Sequence, residues 1–171
     1  SLCNEFPDLH FDFHGHNDYD LSVANTLEAI KAGCNGIHAT INGMGERAGN
    51  TPLASIIAAN NDLLKGYRLE INEKNLYNVS KLVSTFSGFR IPSNKPVIGE
   101  NVFTQTAGIH ADGDSKNNLY YNELLPERFG RKRKYALGNT SGKANIKKNL
   151  YELGIKLKDQ EIGIENSKFI E

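Results

Sequence analysis

The sequence predicts an α/β protein with parallel strands, and three observations support this class of fold. Residues 9–14 and 36–42 alternate between apolar and polar side chains, with the two-residue period of a β-strand. Residues 22–33 carry apolar side chains at mixed three- and four-residue spacings, and a second helix is predicted over about 51–60. Strand, helix, strand and helix joined by short connections form a βαβ unit, in which the strands are parallel.

Capping residues predict where these two helices begin and end. Ser22 is the predicted N-cap of the first helix, and Gly33 is the residue at which that helix stops. Thr51 is the predicted N-cap of the second helix, with Pro52 at the first helical position.

Each predicted strand has one apolar face and one polar face. In the first strand the apolar face holds Leu9, Phe11 and Phe13, and the polar face holds His10, Asp12, His14 and His16. Strands of an open, doubly wound sheet are covered on both sides and are apolar throughout, whereas polar side chains facing inward at strand ends fit a (β/α)8 barrel. Two βα units cannot close a barrel of about 250 residues. The chain is therefore the final part of a barrel, or it has a different α/β fold.

The second half of the chain has a different pattern. Residues 72–86 and 143–153 carry apolar side chains at helical spacings, and residues 88–99 contain two prolines typical of an extended linker. These patterns predict a boundary near residues 87–99. It separates the C-terminal part of a barrel domain over 1–87 from a linker and helical subdomain over 88–171.

Composition restricts the class of protein. Twenty basic and twenty acidic residues cancel, so no net charge favours nucleic acid or an anionic membrane as a partner. The apolar stretches fall well below the roughly 20 residues that span a bilayer. Cys3 and Cys34 lack metal-ligand spacing, which favours reduced thiols in a cytoplasmic protein. An opening Ser1 and an internal Met44 suggest a piece of a longer chain.

Two histidines at a strand end form the first candidate site. His14 and His16 are two positions apart, which places them roughly 6–7 Å apart at the backbone and lets both side chains converge on one divalent ion. Asp12 lies deeper on the same face and Asp18 follows the strand, so the strongest third ligand is expected outside this sequence. The alternative is a pair of surface histidines near a turn.

A glycine-rich loop after the second predicted strand forms another candidate site. Three glycines within residues 42–50 let the backbone turn sharply and approach a ligand closely. The spacing departs from a dinucleotide fingerprint, and the loop has no lysine for a phosphate. Glu46, Arg47 and Asn50 are therefore predicted to form a polar, substrate-binding rim. Alternatively, Glu46 and Arg47 are a structural ion pair.

The third candidate is His110, which lies between glycines beyond the predicted linker. A histidine can act as a general acid or base near neutral pH. The alternative is an ordinary surface residue.

In this order, the motifs resemble those of the acyl-CoA-dependent Claisen-condensing synthases, which include the 2-isopropylmalate, homocitrate and citramalate synthases. The shared motifs are His-x-His-Asn-Asp at 14–18, Val-Ala-Asn at 23–25, Asn-Gly-x-Gly-Glu-Arg-Ala-Gly-Asn at 42–50, Ala-Gly-Ile-His-Ala-Asp-Gly at 107–113, Pro-Glu-Arg-Phe-Gly at 126–130 and Ser-Gly-Lys at 141–143. Residues 16–25 and 103–108 are most similar to those of citramalate synthases.

This resemblance implies the last βα units of a TIM (β/α)8 barrel, followed by a mainly helical subdomain, in a homodimeric enzyme. It implies that His14 and His16 are metal ligands, with Asn50 as a weaker ligand or a metal-proximal group. The implied metal is Zn²⁺ or Mn²⁺, with Mg²⁺ as the alternative.

The resemblance also implies the residues that act on the substrates. His110 matches the catalytic histidine that the subdomain brings to the active site, usually across the dimer. Tyr120 matches a catalytic tyrosine beside it, and Tyr121 is a substrate-binding alternative if the motif shifts by one residue. The family's opening Arg-Asp pair and a middle-strand glutamate have no counterpart in this sequence, so the 171-residue chain alone is expected to be inactive and to associate.

The implied reaction is a metal-dependent condensation of acetyl-CoA with pyruvate, which gives (R)-citramalate and CoA in cytoplasmic isoleucine biosynthesis. A 2-isopropylmalate or homocitrate synthase, which uses another 2-oxo acid, is an alternative. Two further alternatives are a non-catalytic, partner-binding fragment of such an enzyme and a metal-dependent lyase or aldolase on the same barrel.

Overall fold

The computed structural model describes residues 1–105, 123–137 and 143–155. Its helices and strands are α1 (Leu2–Glu5), β1 (Asp12–His14), α2 (Ser22–Lys31), β2 (Gly36–His38), α3 (Leu53–Leu63), α4 (Leu76–Ser87), β3 (Thr104–Gln105), β4 (Lys134–Tyr135) and α5 (Lys143–Glu152). Short 3-10 helices cover Ile41–Gly43, Glu73–Asn75 and Pro126–Phe129. Across the described ranges, no helix combines the length and the apolar character that crossing a bilayer requires.

The described chain falls into two compact units. The first unit contains Ser1–Val102 and Leu124–Arg131, and the second contains 103–105, 123, 132–137 and 143–155 of the described residues. The predicted division of the chain between residues 87 and 88 stays a prediction.

In the first unit, β1 and β2 pair in parallel and α2 connects them. The register places Asp12 beside Gly36 and His14 beside His38. The predicted βαβ unit and the α/β class are therefore confirmed. Closure of these strands into an eight-stranded barrel stays a prediction.

Both strands are shorter than the alternation of side chains predicts. β2 stops at His38, and the chain then turns, because the Thr40 hydroxyl donates a hydrogen bond to the Met44 carbonyl at 2.7 Å. Asn42 has a φ of 63°, so the predicted strand over 36–42 becomes a 3-10 turn at its end. This turn directs the glycine-rich loop back towards β1.

The start of α2 differs from the prediction by one residue. Ser22 is the first helical residue rather than the N-cap, and Asn17 Oδ1 accepts hydrogen bonds from the Ser22 amide at 3.2 Å and from its hydroxyl at 2.5 Å. A side chain five residues upstream thus caps the helix. The predicted stop at Gly33 is confirmed, because this glycine has a φ of 95° just beyond the helix end.

The start of α3 also shifts by one residue. Pro52 is the N-cap, and Thr51, the predicted cap, instead makes a buried hydrogen bond with the Thr26 hydroxyl at 2.9 Å. Ile30 of α2, Ile56 of α3 and Leu64 form a buried cluster. Burying side chains of this size contributes about 1.5–3 kcal/mol each, so the cluster fixes both helices against the strand pair.

α4 and the segment that follows it pack within the first unit. The buried Asn42 amide donates to the Ser80 carbonyl of α4 at 3.0 Å, and α4 ends at Gly88, which has a φ of 70°. Turns fold residues 93–99 of the predicted linker back on themselves, so this part of the segment is not extended. Its role as a linker between two domains stays a prediction. The Gly99 amide donates to the Lys95 carbonyl at 2.7 Å, and residues 97–99 are buried.

The second unit contains a parallel strand pair, β3 with β4, which the sequence did not predict. The helix predicted over 143–153 is confirmed as α5, and Gly154 follows its end with a φ of 78°. The amides of Asn145 and Asn149 donate to the carbonyls of Ala136 and Tyr135 at 3.0 and 2.7 Å. These bonds attach α5 to the end of β4.

Candidate functional site

The histidine-containing segment and the glycine-rich loop meet where β1 and β2 end. His16 and Asn50 form an isolated antiparallel bridge, although 34 positions separate them in sequence. Next to this bridge, the Thr51 amide donates to the Gly15 carbonyl at 3.1 Å, and the Asn17 amide donates to the Gly49 carbonyl at 2.9 Å. The structure therefore places three of the predicted site residues, His14, His16 and Asn50, in one region.

Three imidazole rings lie together at the ends of the paired strands. The centroids of the His14 and His16 rings are 5.0 Å apart, with an angle of 83° between the ring planes. The His38 ring lies 5.5 Å from the His14 ring at an angle of 75°. All three residues are exposed in this chain. The convergence of His14 and His16 agrees with the expected geometry, and their role as metal ligands stays a prediction.

Asn50 carries a buried oxygen that lacks a partner within the described residues. Its Nδ2 donates to the Met44 carbonyl at 3.3 Å, whereas its Oδ1 is buried and accepts no hydrogen bond there. A buried acceptor without a partner costs about 1–3 kcal/mol. A cation bound beside it would satisfy this oxygen. Other buried amide oxygens, such as those of Asn42 and Asn60, share this state, so the bridge to His16 is what makes Asn50 a candidate metal-proximal group.

Glycines allow the loop to approach Asn50 closely. A Cβ atom at Gly45 would collide with the Asn50 amide, and a Cβ atom at Gly49 would collide with the Gly43 carbonyl oxygen. Gly43 and Gly49 also have φ values of 73° and 91°, which side-chain-bearing residues rarely adopt. The predicted reason for the glycines, close approach of the backbone, thus applies to the loop itself and to Asn50.

Arg47 of the loop is held by Asp18, a residue that the sequence did not pair with it. Its Nε and Nη2 donate to the two Asp18 carboxylate oxygens, both at 3.0 Å. These hydrogen bonds hold the pKa of the Asp18 carboxyl below its usual value. Glu46 lies further away, with its Oε2 3.9 Å from Arg47 Nη1. The ion pair considered for Glu46 and Arg47 is therefore secondary to the pair with Asp18.

The sequence predicted only some of the polar groups that lie beside the site. His10 Nε2 lies 2.8 Å from Asp12 Oδ1, and His38 Nε2 lies 3.6 Å from Asp12 Oδ2. The period of β1 had already placed His10 and Asp12 on the face of His14. His38 was not predicted as a functional residue, and the parallel register of β1 with β2 was the signal that could have identified it.

The residues present fit part of a divalent metal site. Two imidazoles and one unpartnered amide oxygen suit zinc and manganese. In the ranges that the structure describes, no three His, Cys, Asp or Glu side chains are arranged to hold a metal ion. The predicted ligand set of His14, His16 and Asn50 accordingly requires a further ligand. The predicted catalytic residues His110 and Tyr120, and the substrate-binding residue Tyr121, lie outside the described residues.

The fold and the site define an α/β protein with clustered imidazoles at the ends of parallel strands. Residues 1–83 match the HMGL-like family, and residues 97–169 match the homocitrate synthase post-HMGL domain-like family. These two consecutive matches relate residues 1–83 to the HMGL-like family and residues 97–169 to the homocitrate synthase post-HMGL domain. The family-level part of the resemblance is thereby supported.

Relatives with three different names are similar to this chain to almost the same degree. It is 44% identical over 149 residues to the 2-isopropylmalate synthase of Sulfurisphaera tokodaii, covering 87% of this chain and 38% of the relative. It is 41% identical over 162 residues to the homocitrate synthase of Sulfolobus acidocaldarius, covering 94% and 34%. It is 39% identical over 158 residues to the (R)-citramalate synthase of Methanocaldococcus jannaschii, covering 92% and 32%.

The chain thus spans about a third of the length of the curated relatives that it matches. Identities between 39 and 44% do not separate the three kinds of synthase. The particular synthase to which the chain corresponds therefore has to be argued from its residues.

Proposed function

We propose that this chain is the metal-binding part of a synthase that condenses acetyl-CoA with a 2-oxo acid. The observation that carries the proposal is the meeting of His14, His16 and Asn50 at the ends of β1 and β2, where the Asn50 oxygen has no partner among the described residues. Relatives named as synthases of 2-isopropylmalate, homocitrate and (R)-citramalate support it.

His14, His16 and Asn50 would hold one divalent ion, Zn²⁺ or Mn²⁺, or Mg²⁺ as the alternative. When bound, such an ion supplies a Lewis acid for the carbonyl group of the 2-oxo acid. The chain contributes the geometry of this site, because backbone hydrogen bonds hold residues 14–17 beside residues 49–51. Because the proposed ligands lie on two segments that are distant in sequence, these hydrogen bonds are needed to bring them together before the substrate binds.

The glycine-rich loop would form one wall of the substrate site. The pair of hydrogen bonds from Arg47 to Asp18 ties the loop to the connection between β1 and α2. Arg47 then contributes to substrate binding by keeping the loop and its positive charge at the rim. Glu46 lies on the same rim, and 83% of its side chain is exposed, so it is proposed as a second substrate-binding residue of the loop.

Proton transfer is assigned to His110, with Tyr120 beside it and Tyr121 as the alternative, on the resemblance of their motifs alone. In the proposed reaction a base removes a methyl proton from acetyl-CoA, and the resulting carbon attacks the carbonyl carbon of the 2-oxo acid. Water then cleaves the thioester and releases CoA. A homodimer and a cytoplasmic location are part of the same proposal.

Pyruvate is the proposed 2-oxo acid, and (R)-citramalate in isoleucine biosynthesis the proposed product. The motifs at 16–25 and 103–108 support this choice. Removing the acetyl carbons from the alternative products identifies their substrates: 3-methyl-2-oxobutanoate for 2-isopropylmalate and 2-oxoglutarate for homocitrate.

The test measures CoA release by the full-length protein that contains this chain, with a thiol reagent and each of the three 2-oxo acids. We expect kcat/KM to be highest with pyruvate. A higher value with another 2-oxo acid would replace the proposed substrate and keep the reaction class. Metal binding without CoA release from any of them would favour a non-catalytic, partner-binding role.

The metal part of the proposal is tested by replacing both imidazoles. His14→Ala with His16→Ala should abolish metal retention, measured by elemental analysis, together with turnover. Lys65→Ala is the matched control, because this exposed side chain lies outside the site. Unchanged metal content in the double variant would refute the proposed ligands.

A further inference from the structure

A carboxylate lies between two imidazoles on the polar face of the strand pair. Asp12 Oδ1 is 2.8 Å from His10 Nε2, and Asp12 Oδ2 is 3.6 Å from His38 Nε2. Asp12 belongs to β1 and His38 to β2, so this carboxylate links the two strands through side chains as well as through the backbone.

The reach of Asp12 across the strands depends on a glycine. Gly36 is the register partner of Asp12, and a Cβ atom at this position would collide with Asp12 Oδ1 and lie 3.1 Å from Asp12 Cγ. The absence of a side chain at Gly36 therefore lets the carboxylate lie over the neighbouring strand, where it meets His38. Any larger residue at this position would displace the carboxylate.

His38 in turn contacts the proposed ligand His14. The two residues are register partners, and their rings meet edge to face with centroids 5.5 Å apart. Nε2 of His38 faces Asp12 Oδ2 at 3.6 Å, so the same ring neighbours both the carboxylate and the His14 ring. His38 is not placed as a further ligand, since no group of three metal-ligating side chains is found within the described residues.

We propose that Asp12 and His38 are positioning residues that hold the His14 ring in the orientation needed to bind the divalent ion. The inference rests on the proposed function only in that His14 is a ligand. Groups that accept a hydrogen bond from a ligating histidine change metal affinity by about 10–100-fold when they are removed. His38 reaches the His14 ring through a ring contact, which is weaker, so an effect at the lower end, about tenfold, is expected here.

The test compares metal binding by full-length variants. The dissociation constants for Zn²⁺ and Mn²⁺ are measured by competition with a chromophoric chelator, and the absorption spectrum of the Co²⁺-loaded protein reports the coordination geometry. The variants are Asp12→Asn and His38→Gln. The replaced side chains are 42% and 58% exposed, so neither change opens a cavity in the core.

We expect each variant to weaken metal binding about tenfold and to shift the Co²⁺ spectrum. The double variant should be little weaker than the worse single variant, because the two residues act through the same ring. His10→Gln is the matched control: His10 also contacts Asp12 but has no ring contact with His14 in the described residues, so an effect below about threefold is expected.

The variant His14→Ala tests separately whether His14 is a metal ligand and whether Asp12 and His38 position its ring. Unchanged affinity and spectrum in Asp12→Asn and His38→Gln, with metal binding lost in His14→Ala, would overturn the positioning role and leave the proposed function intact. Retention of the metal by His14→Ala would refute the ligand assignment itself, and the positioning role with it.

Discussion

Two arginines of the first unit bind carboxylates with pairs of hydrogen bonds, one in a largely buried position and one at the surface. Arg128 donates to Glu73 through Nε and Nη2 at 2.5 and 2.8 Å and to Asp62 through Nη1. Arg47 donates to Asp18 through Nε and Nη2 at 3.0 Å. The Arg128 side chain is 19% exposed and the Arg47 side chain 55% exposed.

This difference in exposure separates a structural role from a positioning role. Breaking a buried ion pair costs about 3–5 kcal/mol, because the remaining charge loses its partner without regaining water. An exposed pair contributes about 0.2–1 kcal/mol, because water solvates both charges when they separate. Arg128 therefore stabilises the first unit, where it attaches the 3-10 helix Pro126–Phe129 to α3, whereas Arg47 mainly determines where the loop lies.

The largest expected effect comes from removing the buried guanidinium. Arg128→Ala should lower the free energy of unfolding by about 3–5 kcal/mol, since Asp62 and Glu73 are left without this partner at 14% exposure each. Urea denaturation of the full-length protein measures this value. A loss below about 1 kcal/mol would show that the two arginines do not differ in the way their exposure predicts.

The pH dependence of stability sharpens the same contrast. Hydrogen bonds from Arg128 lower the pKa of Glu73 below its usual value of 4.5, so the pair stabilises the protein above about this pH and the contribution is lost as the pH falls through the lowered pKa. Glu73→Gln should lower the free energy of unfolding by about 1.5–3 kcal/mol at neutral pH. It should also reduce the loss of stability between pH 7 and pH 3. Urea midpoints between pH 7 and pH 3 measure both effects. If the variant lost as much stability at acid pH as the parent protein, Glu73 would not be the source of that loss.

A smaller effect is expected from crowding Asn50 within the loop. A Cβ atom at Gly45 would collide with the Asn50 amide, so Gly45→Ala should weaken metal binding about tenfold, or about 1.4 kcal/mol. Gly66→Ala is the control, because no described residue lies within 4 Å of a Cβ atom there and its φ of 92° affects only stability. Equal metal affinity of both variants would contradict a role for Asn50 at the ion.

The smallest change in stability is expected from the exposed pair. Arg47→Ala should leave the urea midpoint almost unchanged, because water solvates both charges when the pair separates. It should lower kcat/KM for CoA release, because the loop loses its attachment. Asp18→Asn should have the same effect on kcat/KM, and the double variant should be no worse than either single variant. Strictly additive losses in kcat/KM would mean that the two residues do not act through one contact.

The pattern of side chains along the chain already contained much of the local structure. Alternation predicted the parallel strands, the helical spacings predicted α2 and α5, and Gly33 predicted the end of α2. These features depend on contacts within a few residues, so periodicity and glycine conformations report them directly. The same periodicity placed His14 and His16 on one face, before any knowledge of the neighbouring strand.

What lies beyond a few residues depended on the tertiary structure. The partner of Arg47 is Asp18, 29 residues away. Arg128 finds Glu73 at a separation of 55 residues, and the reach of Asp12 towards β2 requires Gly36 as its register partner. Residues far apart in sequence meet only when the helices and strands that carry them pack together. The spacing of residues along the chain does not specify this packing. The sequence alone therefore determined which residue types carry the chemistry, and the tertiary structure decided which of them meet.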